Sequence, residues 1–298
     1  MKILLFGANG QVGQELQDQL PALGEVKALT RQQLDLTDTK AIRRVMRDYS
    51  PDVVVNAAAY TAVDRAETEQ ELANAVNGVA PKIMAEEVEA LGAALVHIST
   101  DYVFDGQHYR PYLETQPTDP LGAYGHSKWL GETGIQSTGA QAIILRTAWV
   151  YGSRGHGNFV KTMLRLGAER EELGVVVDQI GTPTWSADIA QAICGLVNHL
   201  PPALQAGTEI YHFTNSGAAS WYDFAIAIFE EAAEMGWPLA IKRVVPITTE
   251  EYPTPARRPP YSVLANQKIN ALLGMPAQHW RQALRKMLAE LPRPNSNH

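Results

Sequence analysis

The chain has 298 residues, of which 45% are hydrophobic and 19% charged, a globular composition on a chain longer than one average domain. A formal net charge of −7, with basic clusters no longer than Arg43-Arg44 and Arg257-Arg258, argues against a nucleic-acid partner. The single cysteine, Cys194, excludes an internal disulfide, and no apolar run reaches the length of a membrane span, so a cytoplasmic protein with no membrane partner is expected.

Residues 2–6 read as a buried strand closed by Gly7, and Val12, Leu16 and Leu20 then recur at helical spacing until Pro21 and Gly24. Residues 25–29 form a second predicted strand, and Asp38 is placed to cap a helix through Tyr49. The continuous apolar run of residues 52–56 suits a parallel sheet covered on both faces. A helix over about 68–91 and a fourth strand over 94–99 follow, then a helix over 124–136 and a fifth strand over 142–146. Strand–helix alternation of this kind implies a doubly wound parallel α/β sheet of the Rossmann type, since right-handed crossovers put helices on both faces.

Beyond Tyr151 the alternation is less regular, with turn signals at 152–157, 181–183 and 201–202. A strand over 210–214 and helices over 221–236 and about 280–291 are expected, with the proline-rich stretch 246–260 as an ordered loop and a frayed tail from Pro292. The expected organisation is a nucleotide-binding domain over 1–150 and a smaller, mainly substrate-binding domain over 151–298, some of whose segments return to the sheet.

Gly7, Gly10 and Gly13 lie in a GxxGxxG turn between the first strand and its helix. Dinucleotide phosphates need such a place, because the backbone can approach the pyrophosphate and the helix N-terminus offers free N–H groups. At the end of the second strand, Thr30-Arg31 stands where an NAD-specific site presents an acid; a guanidinium suits a 2′-phosphate, which points to NADPH or to both cofactors. Tyr124 and Lys128 are four apart on one helix face, where an ammonium could tune a phenol for proton transfer. Thr100-Asp101 closes the fourth strand, at the sheet end where ligands bind. The scattered histidines, His97 among them, lack zinc-ligand spacing and suit core or surface duty, and no metal site is assigned.

The glycine turn, Asn56-Ala57-Ala58-Ala59, the run Ser99-Thr100-Asp101-Tyr102-Val103-Phe104 and the Tyr124–Lys128 pair together resemble the extended short-chain dehydrogenase/reductases. More narrowly, with Arg146 to Tyr151, Asn158-Phe159, Asp178-Gln179 and the 252–259 run, the chain resembles the dTDP-4-dehydrorhamnose reductase family. That resemblance implies hydride transfer from NADPH or NADH to C4 of a dTDP-linked 4-keto sugar. Tyr124 would protonate the C4 oxygen, Lys128 would hold the nicotinamide ribose and depress the Tyr124 pKa, and Thr100 with Asp101 would contact the sugar. Gly10, Gln11 and Val12 would cover the pyrophosphate, Asp35 and Leu36 the adenine, and Ala59, Tyr60 and Thr61 the middle of the dinucleotide. Trp149, Asn158, Arg257 and Arg258 would serve the sugar nucleotide, the arginines its diphosphate.

The chain departs from the family pattern at Thr30, where some members carry Asp, and at Tyr60, where His is frequent. No Glu stands near 183–188 for the magnesium bridge that joins some members into dimers, which leaves magnesium, and monomer against homodimer, open. Another nucleotide-sugar 4-ketoreductase or epimerase, or a non-catalytic regulatory subunit of the same fold, are the alternative readings.

Overall fold

The structure, a computed structural model, describes residues 1–155, 157–203 and 207–292. Its first half alternates β1 (Lys2–Phe6), α1 (Gln11–Gln19), β2 (Glu25–Leu29), α2 (Thr39–Tyr49) and β3 (Val53–Asn56). There follow α3 (Val63–Ala66), α4 (Gln70–Asn74), α5 (Ala80–Leu91), β4 (Ala94–Thr100), α6 (Ala123–Gln136) and β5 (Gln141–Thr147). Next come β6 (Val150–Tyr151), α7 (Phe159–Glu169), β7 (Glu172–Val176), β8 (Ile180–Gly181), β9 (Thr184–Trp185) and α8 (Ser186–Ala203). The chain then forms β10 (Thr208–His212), β11 (Ala219–Ser220), α9 (Trp221–Glu234), β12 (Arg243–Ile247), α10 (Gln267–Leu273) and α11 (Trp280–Glu290).

Six parallel strands make one sheet in the order β2-β1-β3-β4-β5-β10. The order reverses between β1 and β3, so their carboxyl ends open a crevice that the connecting loops flank. This is the Rossmann-type arrangement expected from the alternation. Alternate residues of each strand face opposite layers: Ile3, Leu5, Val53 and Val55 pack with Val12, Leu16, Ile189 and Ile193 of α1 and α8. Leu4, Phe6 and Val54 pack with Ile42, Met46, Met84 and Val88 of α2 and α5. A separate aromatic-rich core joins Tyr151, Val160, Phe224, Ile228, Trp280 and Leu284.

Local chemistry starts and stops the helices. Asp38 Oδ1 accepts from Ala41 N to cap α2, which ends on Ser50 in the left-handed region at φ 48°. Ser220 and Asp223 form a reciprocal capping box at α9. The predicted helix over 68–91 is broken in its ladder: residues 75–79 are a π-helical turn between α4 and α5, a distortion frequent at functional sites.

Three expectations are corrected. The proline-rich stretch is not loop throughout, because β12 carries Pro246 within a two-stranded parallel pairing with β7, where an edge tolerates the missing N–H. α8 runs through the 201–202 turn signal to Ala203. The irregular region also hides α7, α8 and α10, although Val160, Met163, Leu164 and Gly167 carry the helical period and are buried. Most of the tail expected to fray, from 293 on, lies outside the described residues. No helix among the described residues is long and apolar enough to cross a membrane.

Candidate active site

The turn after β1 is built by close approach. Gly7 has φ 83°, and a Cβ there would stand 2.6 Å from Ala58 N, so the loops after β1 and β3 touch only because Gly7 has no side chain. A Cβ on Gly13 would lie 2.0 Å from Gly7 O, which makes Gly13 the point where α1 packs against the turn. Gly10 is the N-cap of α1 and supplies no side-chain cap, leaving first-turn N–H groups at the crevice. Val12 places its side chain in the core, so only its backbone can face a ligand. Gln11 Oε1 accepts from Asn158 Nδ2 at 2.8 Å, tying α1 to the segment before α7.

At the end of β2, Thr30 N and Oγ1 both donate to Gln33 Oε1, at 2.8 and 3.1 Å. The Arg31 side chain is 73% exposed and lies 3.7 Å from Asp35. Asp35 is engaged with Thr37 N and Oγ1, which hold its carboxyl below the usual carboxylate range. Leu36 is buried in the core.

Thr100 and Asp101 stand where β4 ends. Thr100 Oγ1 donates to Asp101 Oδ1 at 3.0 Å and accepts from Tyr102 N at 3.2 Å, fixing the turn. Burial pushes the Asp101 carboxyl up to about 6, with the Ser262 and Thr100 hydroxyls pulling the other way. Tyr124, on the first turn of α6, meets the Tyr102 ring edge-on at 5.5 Å between centroids. Burial pushes its phenol up to about 12, and the Thr100 hydroxyl pulls it back while Asp101 raises it further. Lys128 is not among the groups that shift it. Lys128 is 2% exposed, and its Nζ lies 2.7 Å from Ile98 O and 3.2 Å from His97 Nε2. Burial brings Lys128 down to about 8, against the opposing pull of Glu132.

Several supporting residues escaped the sequence reading. Asn77, in the π-helical turn, accepts from Tyr60 N at 2.8 Å and donates to Tyr60 O and Ser127 Oγ. Ser127 Oγ in turn donates to Tyr124 O at 2.7 Å, so one buried amide joins the loop after β3 to the first turn of α6. The Tyr60 hydroxyl donates to Glu69. Glu132 accepts from Ser99 Oγ at 2.6 Å and from Arg146 at 2.6 and 2.9 Å, a buried pair beneath the site. Neither the i, i+8 relation of Tyr124 and Glu132 nor the isolated Asn77 carries a local signal, since the partners meet only through the sheet.

On the other side of the crevice, the indoles of Trp149 and Trp221 stack at 3.5 Å and 3° between planes, and Trp149 takes φ 46°, so one face of Trp149 is already covered. Asn158 caps α7: it accepts from Lys161 N at 3.1 Å and donates to Gly152 O and Gln11 Oε1 at 2.8 Å, which commits its polar atoms to structure. The two arginines part company. Arg257 is exposed, whereas Arg258 is held by Asp64 at 2.9 Å and by Thr254 Oγ1. Among the described residues no group of three or more His, Cys, Asp or Glu could hold a metal ion.

This arrangement can place a keto group among two hydroxyls and a carboxyl at the end of β4, beside a crevice shaped for a dinucleotide. Residues 1–293 match the family described as the RmlD substrate binding domain. The chain is 47% identical over 292 residues to the dTDP-4-dehydrorhamnose reductase of Burkholderia thailandensis, covering 95% of this chain and 97% of that one. The crystal structure of a dTDP-4-dehydrorhamnose reductase from Clostridium acetobutylicum superposes with TM-score 0.89 at 40% identity, over 97% of this chain and 99% of that chain. The dTDP-4-dehydrorhamnose reductase of Bacillus anthracis, solved in complex with NADP, gives TM-score 0.89 at 36% identity over the same shares.

Proposed function

Since the chain belongs to the RmlD substrate binding domain family and to its dTDP-4-dehydrorhamnose reductases, we infer a reductase whose proton donor is Tyr124. The enzyme is an oxidoreductase that reduces the C4 keto group of dTDP-4-dehydro-β-L-rhamnose to give dTDP-β-L-rhamnose, the last step of dTDP-rhamnose biosynthesis.

The cofactor is a nicotinamide dinucleotide, and the chain's residues fit one. The uncapped first turn of α1 at Gly10 and the side-chain-free approach at Gly7 suit a pyrophosphate, and the exposed Arg31 guanidinium suits a 2′-phosphate. NADPH is therefore preferred over NADH. The reduced nicotinamide, when bound, supplies the hydride for C4.

The chain's own residues orient the sugar and move the proton. Tyr124 offers its hydroxyl to the C4 oxygen and gives its proton as negative charge grows there, and Thr100 turns its hydroxyl from Asp101 to the same oxygen when the sugar binds. A phenol pushed up to about 12 holds its proton at neutral pH, which suits a donor to a developing alkoxide. Asp101 accepts from a sugar hydroxyl with Oδ2, which is buried and meets no donor at hydrogen-bonding geometry among the described residues. Lys128 holds the cofactor ribose from the floor of the site. The half-buried indole of Trp149 covers an apolar face of the sugar, and Arg257 reaches the diphosphate, while Arg258, tied to Asp64, fixes the loop that carries both arginines.

The observation that carries this reading is the convergence of Thr100, Asp101 and Tyr124 from two different elements at one sheet end, in a chain this similar to the named reductases. The direct test follows cofactor oxidation with dTDP-4-dehydro-β-L-rhamnose against other nucleotide-linked 4-keto sugars. Turnover confined to a different sugar would overturn the substrate assignment.

A further inference from the structure

Behind Tyr124 runs a chain of hydrogen bonds that begins and ends on backbone. Ala58 N donates to Asn56 Oδ1 at 3.1 Å, and Asn56 Nδ2 lies 3.0 Å from His97 Nδ1. His97 Nε2 lies 3.2 Å from Lys128 Nζ, which lies 2.7 Å from Ile98 O. Asn56 and His97 have no solvent exposure and Lys128 has 2%, so water cannot absorb a mismatched donor.

The two backbone ends decide the direction of every bond between them. An amide N–H only donates, so Asn56 must present its oxygen to Ala58 and its NH₂ to His97. Nδ1 of His97 is then an acceptor and carries no proton. A neutral imidazole with a bare Nδ1 is protonated on Nε2, and that N–H points at Nζ of Lys128. An ammonium has no lone pair to receive it, whereas an amine has one. We propose that Asn56 and His97 are positioning residues that lock the Nε2–H tautomer and thereby favour the uncharged amine of Lys128 in the resting site.

With Lys128 as an amine, every polar atom of the chain is satisfied: Nε2–H enters the lone pair of Nζ, and one N–H of the amine enters Ile98 O. The surroundings agree. Glu132, on the same helix, favours the cation, but its carboxylate is engaged by Arg146 of β5 and Ser99 of β4. From β4 Lys128 meets the imidazole of His97, which burial holds well below the usual histidine range, so that the ring stays neutral. Tyr124 and Asp101, the other titratable groups of the site, carry protons more readily than in water, and the π-helical turn contributes only the neutral amide of Asn77. Lys128 is thus a group that loses its proton more readily than a free lysine, in place of the permanent cation its sequence position suggests. This consequence for catalysis rests on the reductase reading; the tautomer does not.

Two measurements test it. In the intact chain, ¹⁵N–¹H correlation spectra of the histidine rings should show His97 protonated on Nε2 and bare on Nδ1 across neutral pH, its signals identified by their loss in His97→Gln. A ring protonated on Nδ1 would overturn the proposal without any reference to activity. The second measurement is the pH profile of kcat/KM. Asn56→Asp turns the bond around, because a carboxylate accepts from both Ala58 N and Nδ1–H, and Nε2 then accepts from an ammonium. His97→Gln can likewise offer an oxygen to Nζ. Both should move the ionisation of Lys128 to higher pH by about one unit or more, about tenfold in proton affinity. Reduced kcat in both variants with an unmoved profile would assign Asn56 and His97 to packing alone. Should wild type fail to turn over the sugar while His97 shows the Nε2–H tautomer, the proposal stands for the resting site and the substrate assignment falls.

Discussion

A phenol is a weak acid in water and a weaker one when buried, so Tyr124 works only because the transition state asks for its proton at the moment an alkoxide forms. Tyr124→Phe keeps the ring against Tyr102 and removes the hydroxyl; kcat should fall by about 10²–10⁴-fold while the dTDP-sugar still binds, as checked by single-turnover kinetics beside equilibrium titration. A variant as fast as wild type would remove Tyr124 from the role. Arg31 poses a different question, since its side chain stands in solvent with only a 3.7 Å contact to Asp35. Charge-assisted hydrogen bonds contribute about 1.5–3 kcal/mol. Arg31→Ala should therefore raise KM for NADPH by tenfold or more and leave KM for NADH in place; equal changes for both would show that Arg31 does not read the 2′-phosphate. The positions of these two residues, on the first turn of α6 and just after β2, were legible because the strand–helix rhythm defines them. The protonation of Lys128 was not, because His97 and Asn56 reach it from two other strands.

At the scale of elements, the glycine turn does two jobs that the spacing alone does not separate. Gly10 leaves the helix end uncapped for a ligand, and Gly13 sets how closely α1 approaches β1. Overpacking a contact of this kind costs about 1–3 kcal/mol. Gly13→Ala should lower the urea midpoint and weaken cofactor binding together, because α1 cannot move away from Gly7 O without carrying its N-terminus off the crevice; weakened cofactor binding at unchanged stability would contradict this. Asn158 shows how one side chain can serve two readings. The family resemblance assigns it to the sugar nucleotide, and in this structure its amide is a cap for α7 and a tie to Gln11. The cap signal and the buried period of Val160, Met163, Leu164 and Gly167 were both present in the chain, but glycines and a long irregular stretch masked them.

Among the described residues a core on each face of the sheet, a third, aromatic one and a small cluster of Val103, Phe104, Tyr112 and Leu264 hold the molecule together. His212, in the last strand of the sheet, lies with Nδ1 3.0 Å from Tyr112 O and Nε2 3.4 Å from Arg146. Burial, and then Arg146, bring it down to about 3 from an ordinary value of 6.5. Between these values the unfolded chain binds a proton that the folded chain refuses, so this group makes stability fall as pH drops from 6.5 towards about 3. His212→Gln should flatten that part of the stability profile in urea titrations at several pH values; an unchanged slope would place the acid sensitivity elsewhere. The amino-acid sequence by itself determined the parallel sheet, the glycine turn, the strand end at Thr100 and the helix face that carries Tyr124 and Lys128. Each follows from local periodicity or from chain chemistry within a few residues. Only the tertiary structure decided which later segment returns to the sheet, β10 beside β5, that Asn77 joins two loops, and that Lys128 meets His97. Those contacts depend on which strands become neighbours and how deeply a charge is buried, quantities set by the packing of distant segments.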